Sequence, residues 1–336
     1  MVIYGITFAF LSGICNGLFT TPMKLVRAWR WENIWLVFIL VACLAMPFLV
    51  VSATAPDYGT VWEQSPKAAV IYALAFGFLW GFGAILFGLT VDRLGVSLAN
   101  SMVIGLSSAL GSIVPLLLSG SFRLDAQRIV LLAGVLVFLI GVWLCGIAGR
   151  LREGRTDTQA PRGVLLTGYL FAIGGGILSA IFNIGFSLAQ PIREAGERLG
   201  YSSFLATNCI WLLMLTAGAV PNIVFCGALL RRNKTTALFW TAEPARSWAL
   251  TVLMGLLWGG SIFLYGAATP HLGDMGPAVG WPLSLAVALL VANVMGILLG
   301  EWRTAPRDAI RRMRAGVAVL LAAIIVCALS TRVGHG

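Results

Sequence analysis

The sequence predicts an all-α integral membrane protein of ten transmembrane helices, arranged as two inverted five-helix repeats. Three observations predict it. Apolar residues make up 59% of the 336-residue chain, charged residues only 11%, and the mean hydropathy is +0.92. The apolar residues fall into ten runs, each near the roughly 20 residues that a helix needs to cross the hydrocarbon core. A motif in the third run returns in the eighth.

Soluble domains carry about 25% charged residues, so this composition excludes a soluble enzyme, a disordered chain and the usual kind of nucleic-acid binder. The net charge of +10 would suggest a polyanionic partner if the basic residues shared one surface. They lie instead in short connections between apolar runs. The expected surroundings are a lipid bilayer, with no nucleic acid.

In chain order the runs cover 2–22, 32–53, 68–89, 97–118, 128–148, 164–190, 202–229, 247–268, 277–299 and 315–333. None alternates with a period of two, as the strands of a spanning barrel require. The first run lacks a basic leader and an A-x-A-like cleavage site, so it is read as a retained span. The second opens behind Trp29, Trp31 and Trp35, which are read as an interfacial belt. The tenth follows Arg303, Arg307, Arg311 and Arg314, whose spacing gives a basic helical face suited to anionic lipid.

Lysine and arginine set the orientation. The odd-numbered connections hold 17 of the 23 basic residues, and that side is expected to face the cytoplasm. The chain is then a multi-pass protein of a bacterial-type inner (plasma) membrane with both termini outside. All six cysteines lie within apolar runs with no metal-ligand spacing, so no metal or cofactor is expected.

Residues 76–95 (FGFLWGFGAILFGLTVDRLG) and 254–273 (MGLLWGGSIFLYGAATPHLG) match at an offset of 178. The shared residues include Gly77/Gly255, Trp80/Trp258, Gly81/Gly259, Gly88/Gly266 and Gly95/Gly273. Gly13–Thr20 (GICNGLFT) and Gly176–Asn183 (GILSAIFN) match between the first and sixth runs, pairing Asn16 with Ser179 and Thr20 with Asn183. The chain thus reads as a first repeat over 1–148, a cytoplasmic linker over 149–163 and a second repeat over 164–336. Five spans are an odd number, so the second half enters from the opposite side. Such inverted repeats mark secondary transporters, whose halves open a central site to each side in turn.

Several motifs stand in a characteristic order. They are Pro22-Met23-Lys24, Trp29-Arg30-Trp31-Glu32 with Trp35, Leu79-Trp80-Gly81 with Phe87-Gly88, Arg93-Leu94-Gly95, and Gly300-Glu301-Trp302. With these the chain resembles the L-rhamnose/proton symporters of the drug/metabolite transporter superfamily over nearly its whole length. The resemblance implies a ten-helix inverted-repeat carrier that takes up a deoxy-hexose with a proton. The stretch Gly276-Pro277-Ala278-Val279-Gly280-Trp281-Pro282 lacks the acidic residue that the resemblance leads one to expect there.

All thirteen acidic residues lie at span ends or in connections. A carrier without a mid-membrane charge suits a neutral, hydroxyl-rich ligand better than a cationic drug. A sugar asks for amide and hydroxyl partners and an aromatic face. Asn16, Thr20, Asn183, Ser187, Trp258, Tyr265 and Trp281 are therefore the expected substrate contacts. Most other intramembrane serines are read as bridges between helices, and Trp80 fits cavity lining or packing equally. His271 and Asp274 are the candidates for proton coupling, because histidine titrates near neutral pH.

The expected function is import of an L-rhamnose-like monosaccharide by proton symport through alternating access. The alternative is an uncoupled facilitator or exporter of another small metabolite on the same scaffold. An intramembrane enzyme would need a paired nucleophile and base, paired acids or metal ligands within the membrane, and the runs supply none.

Overall fold

The computed structural model describes residues 2–94, 96–118, 125–154 and 162–333. Among them are ten helices long and apolar enough to span a membrane: Val2–Leu25, Trp31–Thr54, Lys67–Thr90, Ala99–Leu117, Ala126–Arg152, Gly163–Arg198, Ser203–Asn233, Pro244–Gly273, Gly276–Leu298 and Arg307–Thr331. They are called the first to tenth spans below. The ten apolar runs each correspond to one of them.

Boundaries moved where polar residues continue a helix. The tenth begins at Arg307, because Asp308 pairs with Arg311 at 3.0 Å and Arg312 at 2.9 Å and so supports an exposed first turn. The sixth runs on through the amphipathic Gln190–Arg198, where Arg193 meets Glu197 at 2.6 Å. Asp125 caps the fifth span by accepting from Arg128 N at 2.8 Å, and Ser202 caps the seventh by accepting from Leu205 N at 3.4 Å. A π-helical turn, Leu40–Ala45, interrupts the second span just before Pro47, which has no amide hydrogen to give to a carbonyl one turn back. At the end of the eighth span the chain tightens into a 3₁₀ turn, Thr269–Met275, with Gly273 at φ +75°. Glycine is the residue that takes this φ without a Cβ clash.

Helix partners recur in the two halves. The first span packs on the eighth and ninth, and the sixth packs on the third and fourth. The close approaches recur too. A Cβ on Gly5 would lie 2.8 Å from Leu272, and one on Gly168 would lie 2.6 Å from Leu94. Gly5 precedes Gly168 by 163 residues and Leu94 precedes Leu272 by 178, the same two offsets as the sequence motifs. Gly13 against the Ser284 carbonyl and Gly176 against Leu106 obey the same arithmetic.

A column of aromatic rings threads the bundle. Phe19 meets Phe38 at 5.8 Å, Phe38 meets Trp258 at 5.8 Å, and Trp258 stacks on Trp80 at 5.2 Å. Trp80 then meets Phe182 at 4.9 Å, and Phe182 meets Trp211 at 5.5 Å.

The tryptophans read as a belt are not one. Trp29 is buried edge-on to Phe239 and Trp248, Trp35 is buried, and Trp31 stacks on Trp35 at 5.1 Å. Glu32 and Asn33, between them in sequence, tie this segment to the end of the seventh span. Glu32 Oε1 accepts from Asn233 and Thr235 at 2.9 Å each, and Asn33 donates to the Thr235 carbonyl. These hydrogen bonds turn the tryptophans inward, away from lipid.

Candidate functional site

The span ends on the side rich in lysine and arginine surround a cavity of about 820 Å³. Phe19, Thr20 and Lys24 come from the first span, Trp31 and Trp35 from the second, and Phe87 from the third. The fourth span supplies Asn100, the fifth Arg152, the ninth Leu289, Ala292 and Asn293, and the turn after it Glu301 and Trp302.

One wall is aromatic. The Trp31–Trp35 stack is held in place because Trp35 Nε1 donates to Asn222 Oδ1 at 3.0 Å, while Asn222 Nδ2 donates to the Gly81 and Gly218 carbonyls at 3.0 Å each. The ring plane is thus fixed from the third and seventh spans, leaving a rigid apolar face toward the cavity.

The other walls carry neutral hydrogen-bonding groups. Asn293 Nδ2 donates to the Leu289 carbonyl at 2.8 Å, which leaves its Oδ1 free to accept. Thr20 and Asn100 have no hydrogen-bond partner among the described residues. A polar group facing a water-filled cavity is satisfied by solvent and can exchange that water for a ligand hydroxyl.

An ion triad stands at the mouth. Glu301 is bridged by Lys24 and by Arg152, the latter at 2.7 Å, and Arg152 lies over the Trp302 ring at 5.0 Å. Gly300, at φ +78°, turns the chain so that Glu301 N donates back to the Gly296 carbonyl at 2.9 Å. Burial pushes the Glu301 carboxyl up, but hydrogen bonds and charge from Lys24 and Arg152 outweigh it and leave it below the ordinary 4.5.

The opposite end is closed. Asn183, fully buried, donates to the Gly111 carbonyl at 2.7 Å and the Pro277 carbonyl at 3.0 Å, and its Oδ1 accepts from the Tyr265 hydroxyl. Trp281 Nε1 donates to the Ser107 carbonyl at 3.3 Å, and its ring packs 5.4 Å from that of Tyr265. Four helices, the fourth, sixth, eighth and ninth, are thereby fastened together with no amide atom of Asn183 left unpaired.

The expected substrate contacts therefore divide. Thr20 lines the cavity. Asn183, Tyr265 and Trp281 lie together in the closed end, and Trp258 belongs to the central ring stack. Asn16 and Ser187 are half-buried on the first and sixth spans, apart from the cavity lining. His271 is half-buried against the rings of Tyr4 at 6.2 Å and Phe8 at 6.1 Å, far along the chain fold from the open mouth. The side chain of Asp274 lies outside the described residues.

Sequence reasoning missed Trp31, Trp35, Asn100 and Asn293 as cavity residues, and Glu301 as a bridge between halves. An amide inside an apolar run, as at positions 100 and 293, was the available signal. Among the described residues, no three His, Cys, Asp or Glu side chains converge as a metal site would need.

The profile of the L-rhamnose-proton symport protein (RhaT) family matches residues 1–332. The chain is 28% identical to the L-rhamnose-proton symporter of Cronobacter sakazakii over 333 residues, covering 97% of this chain and 96% of that one. It is 28% identical to the symporter of that name from Escherichia coli O1:K1, with 95% of each chain covered. With the one from Yersinia pestis the identity is 29%, over 97% of each. A match spanning essentially the whole chain, on a bundle of ten apolar helices, makes this protein a member of the L-rhamnose-proton symport protein family.

Proposed function

We propose that the protein imports an L-rhamnose-like deoxy-hexose with a proton, by alternating access between two inverted five-span halves. The observation that carries this is the cavity: wide open at one end, closed by a hydrogen-bonded plug at the other, and lined by neutral polar groups beside a fixed indole face. Its volume lies within the range of small-molecule sites. A 6-deoxy sugar offers hydroxyls for Thr20, Asn100 and Asn293 and an apolar C–H surface for Trp31. A carrier for cationic compounds would place an unpaired carboxylate here, whereas Glu301 is already bridged by two cations.

The open side is the basic side, which the distribution of lysine and arginine assigns to the cytoplasm of a bacterial inner membrane. The state described is then inward-open. Glu301, bridged by Lys24 and Arg152, supports a closed charge network at the mouth on this side. His271 and Asp274, which follow Tyr265 in the chain, are the residues proposed to take up the proton. The repeated contacts of Gly5 with Leu272 and Gly168 with Leu94 support the division into halves over 1–148 and 164–336.

The test is uptake of radiolabelled L-rhamnose into proteoliposomes with and without an inward proton gradient. Accumulation driven by the gradient supports symport. Uptake that only equilibrates would keep the sugar and leave the uncoupled facilitator. No uptake by folded protein would remove the substrate.

A further inference from the structure

We infer that the two ends of the carrier are closed by repeat-related residues of unequal strength, with Asn183 and Tyr265 at one end answered by Thr20 and Phe87 at the other. The inference rests on the alternating-access reading above. In the two matched segments, Asn183 corresponds to Thr20 at offset 163 and Tyr265 to Phe87 at offset 178. The carbonyl of Gly111, which accepts from Asn183 at 2.7 Å, corresponds at offset 178 to that of Leu289. That offset also governs the fourth and ninth spans, since Gly176 rests on Leu106 just as Gly13 rests on Ser284.

Thr20, Phe87 and Leu289 all line the open cavity. The residues fastened together at the closed end therefore have their counterparts spread apart at the open end. When the halves exchange conformations, Thr20 and Phe87 take the places that Asn183 and Tyr265 occupy now.

The exchange is chemically unequal. Asn183 makes two donor bonds and accepts one from the Tyr265 hydroxyl. Thr20 has a single hydroxyl, and Phe87 has no polar atom at all. The cytoplasmic closure thus lacks at least two of the three hydrogen bonds, each of which shifts an equilibrium in a membrane roughly three- to tenfold. The carrier rests open to the basic side for this reason. Thr20, besides facing the sugar, and Phe87 set which way the site faces.

The test installs the stronger closure at the weaker end. In a cysteine-free background, Ala292→Cys reports on the open cavity and Ser112→Cys on the closed end, where Ser112 is 1% exposed. Alkylation by a hydrophilic maleimide is timed in nanodiscs, where both faces are accessible. The double variant Thr20→Asn/Phe87→Tyr should slow labelling at 292 and speed it at 112, each about three- to tenfold. Tyr265→Phe, which weakens the other closure, should move both rates in the same two directions. Unchanged rates, or rates that rise together as misfolding would cause, overturn the inference. Reciprocal shifts in a protein that carries no L-rhamnose would leave the gates in place and remove only the substrate.

Discussion

Trp80 and Trp258 stack face to face, with centroids 5.2 Å apart and planes 11° apart. They are also repeat mates, at positions 178 residues apart. In the proposed inverted-repeat arrangement, related residues touch each other only where the relating axis passes between them, which would put this stack on that axis. The column's outer members are alike in one respect: Phe19 and its repeat mate Phe182 each meet a further ring, Phe38 at 5.8 Å and Trp211 at 5.5 Å. It is uneven next to the stack. Phe38 touches Trp258 on the open side, while Phe182 touches Trp80 on the closed side.

Replacing one ring should therefore act on both stability and transport. An aromatic pair contributes about 0.5–1.5 kcal/mol beyond burial, and Trp258 is partly buried, so removing its ring costs less than the roughly 3–5 kcal/mol of a fully buried one. Trp258→Ala is expected to lower the melting temperature and abolish uptake, while Trp258→Phe retains most of both. Thermal unfolding and initial-rate uptake on the same preparations check this.

Asn293 separates binding from folding. It faces the cavity and its Oδ1 is free, so Asn293→Ala should raise KM for the sugar about tenfold, the weight of one hydrogen bond of about 1.4 kcal/mol. The melting temperature should stay put, because the only bond lost inside the protein is a local one to the Leu289 carbonyl. Equal losses in KM and melting temperature would assign Asn293 to the scaffold.

The triad predicts a pH dependence with a definite sign. Glu301 is held below the ordinary 4.5, so the stabilisation from its ionised form is fully present above that value. It is lost as pH falls through the lowered one. Between pH 7 and 5.5 the melting temperature should not move on account of Glu301. Glu301→Gln should lower it at pH 7 by about 2–4 °C, since both bridges are partly exposed. The variant should also lose the Glu301 contribution to the acid limb below pH 4.5. A wild-type loss centred near pH 6 would mean another group is titrating.

Glycine contacts give a graded pair of substitutions. A Cβ at Gly77 would strike the backbone of Met214, which has no side-chain freedom to yield. At Gly163 nothing lies within 4 Å. Gly77→Ala should prevent recovery of folded protein, whereas Gly163→Ala, at the exposed start of the sixth span, should be neutral or slightly stabilising. Yield and monodispersity on size-exclusion chromatography report both.

The spans were legible because a 20-residue apolar run has one stable fate in lipid, and the motif spacing is matched by glycine contacts at the same two offsets. Rotation about each helix axis was not legible. Asn183 and Asn293 are both amides in apolar runs, yet one is consumed by two carbonyls and a tyrosine while the other faces a cavity. Only the neighbours decide that, and they come from helices distant in sequence. Trp31 and Trp35 show the same limit: tryptophan at a span end usually marks the lipid interface, but Glu32 and Asn33 rotate this segment into the protein.

The fifth and tenth spans run against each other along their length. A Cβ on Gly134 would lie 2.6 Å from Cys327 Sγ, one on Gly316 would lie 2.6 Å from Cys145 Sγ, and one on Gly141 would lie 2.9 Å from Leu320. Each small residue on one helix is a socket for a larger one on its neighbour, two of the sockets on the fifth span and one on the tenth. Such a seam resists sliding both ways, as a zip fastener does. Under the proposed alternating access, such a seam favours the fifth and tenth spans moving as one unit, with the two thiols locked inside it.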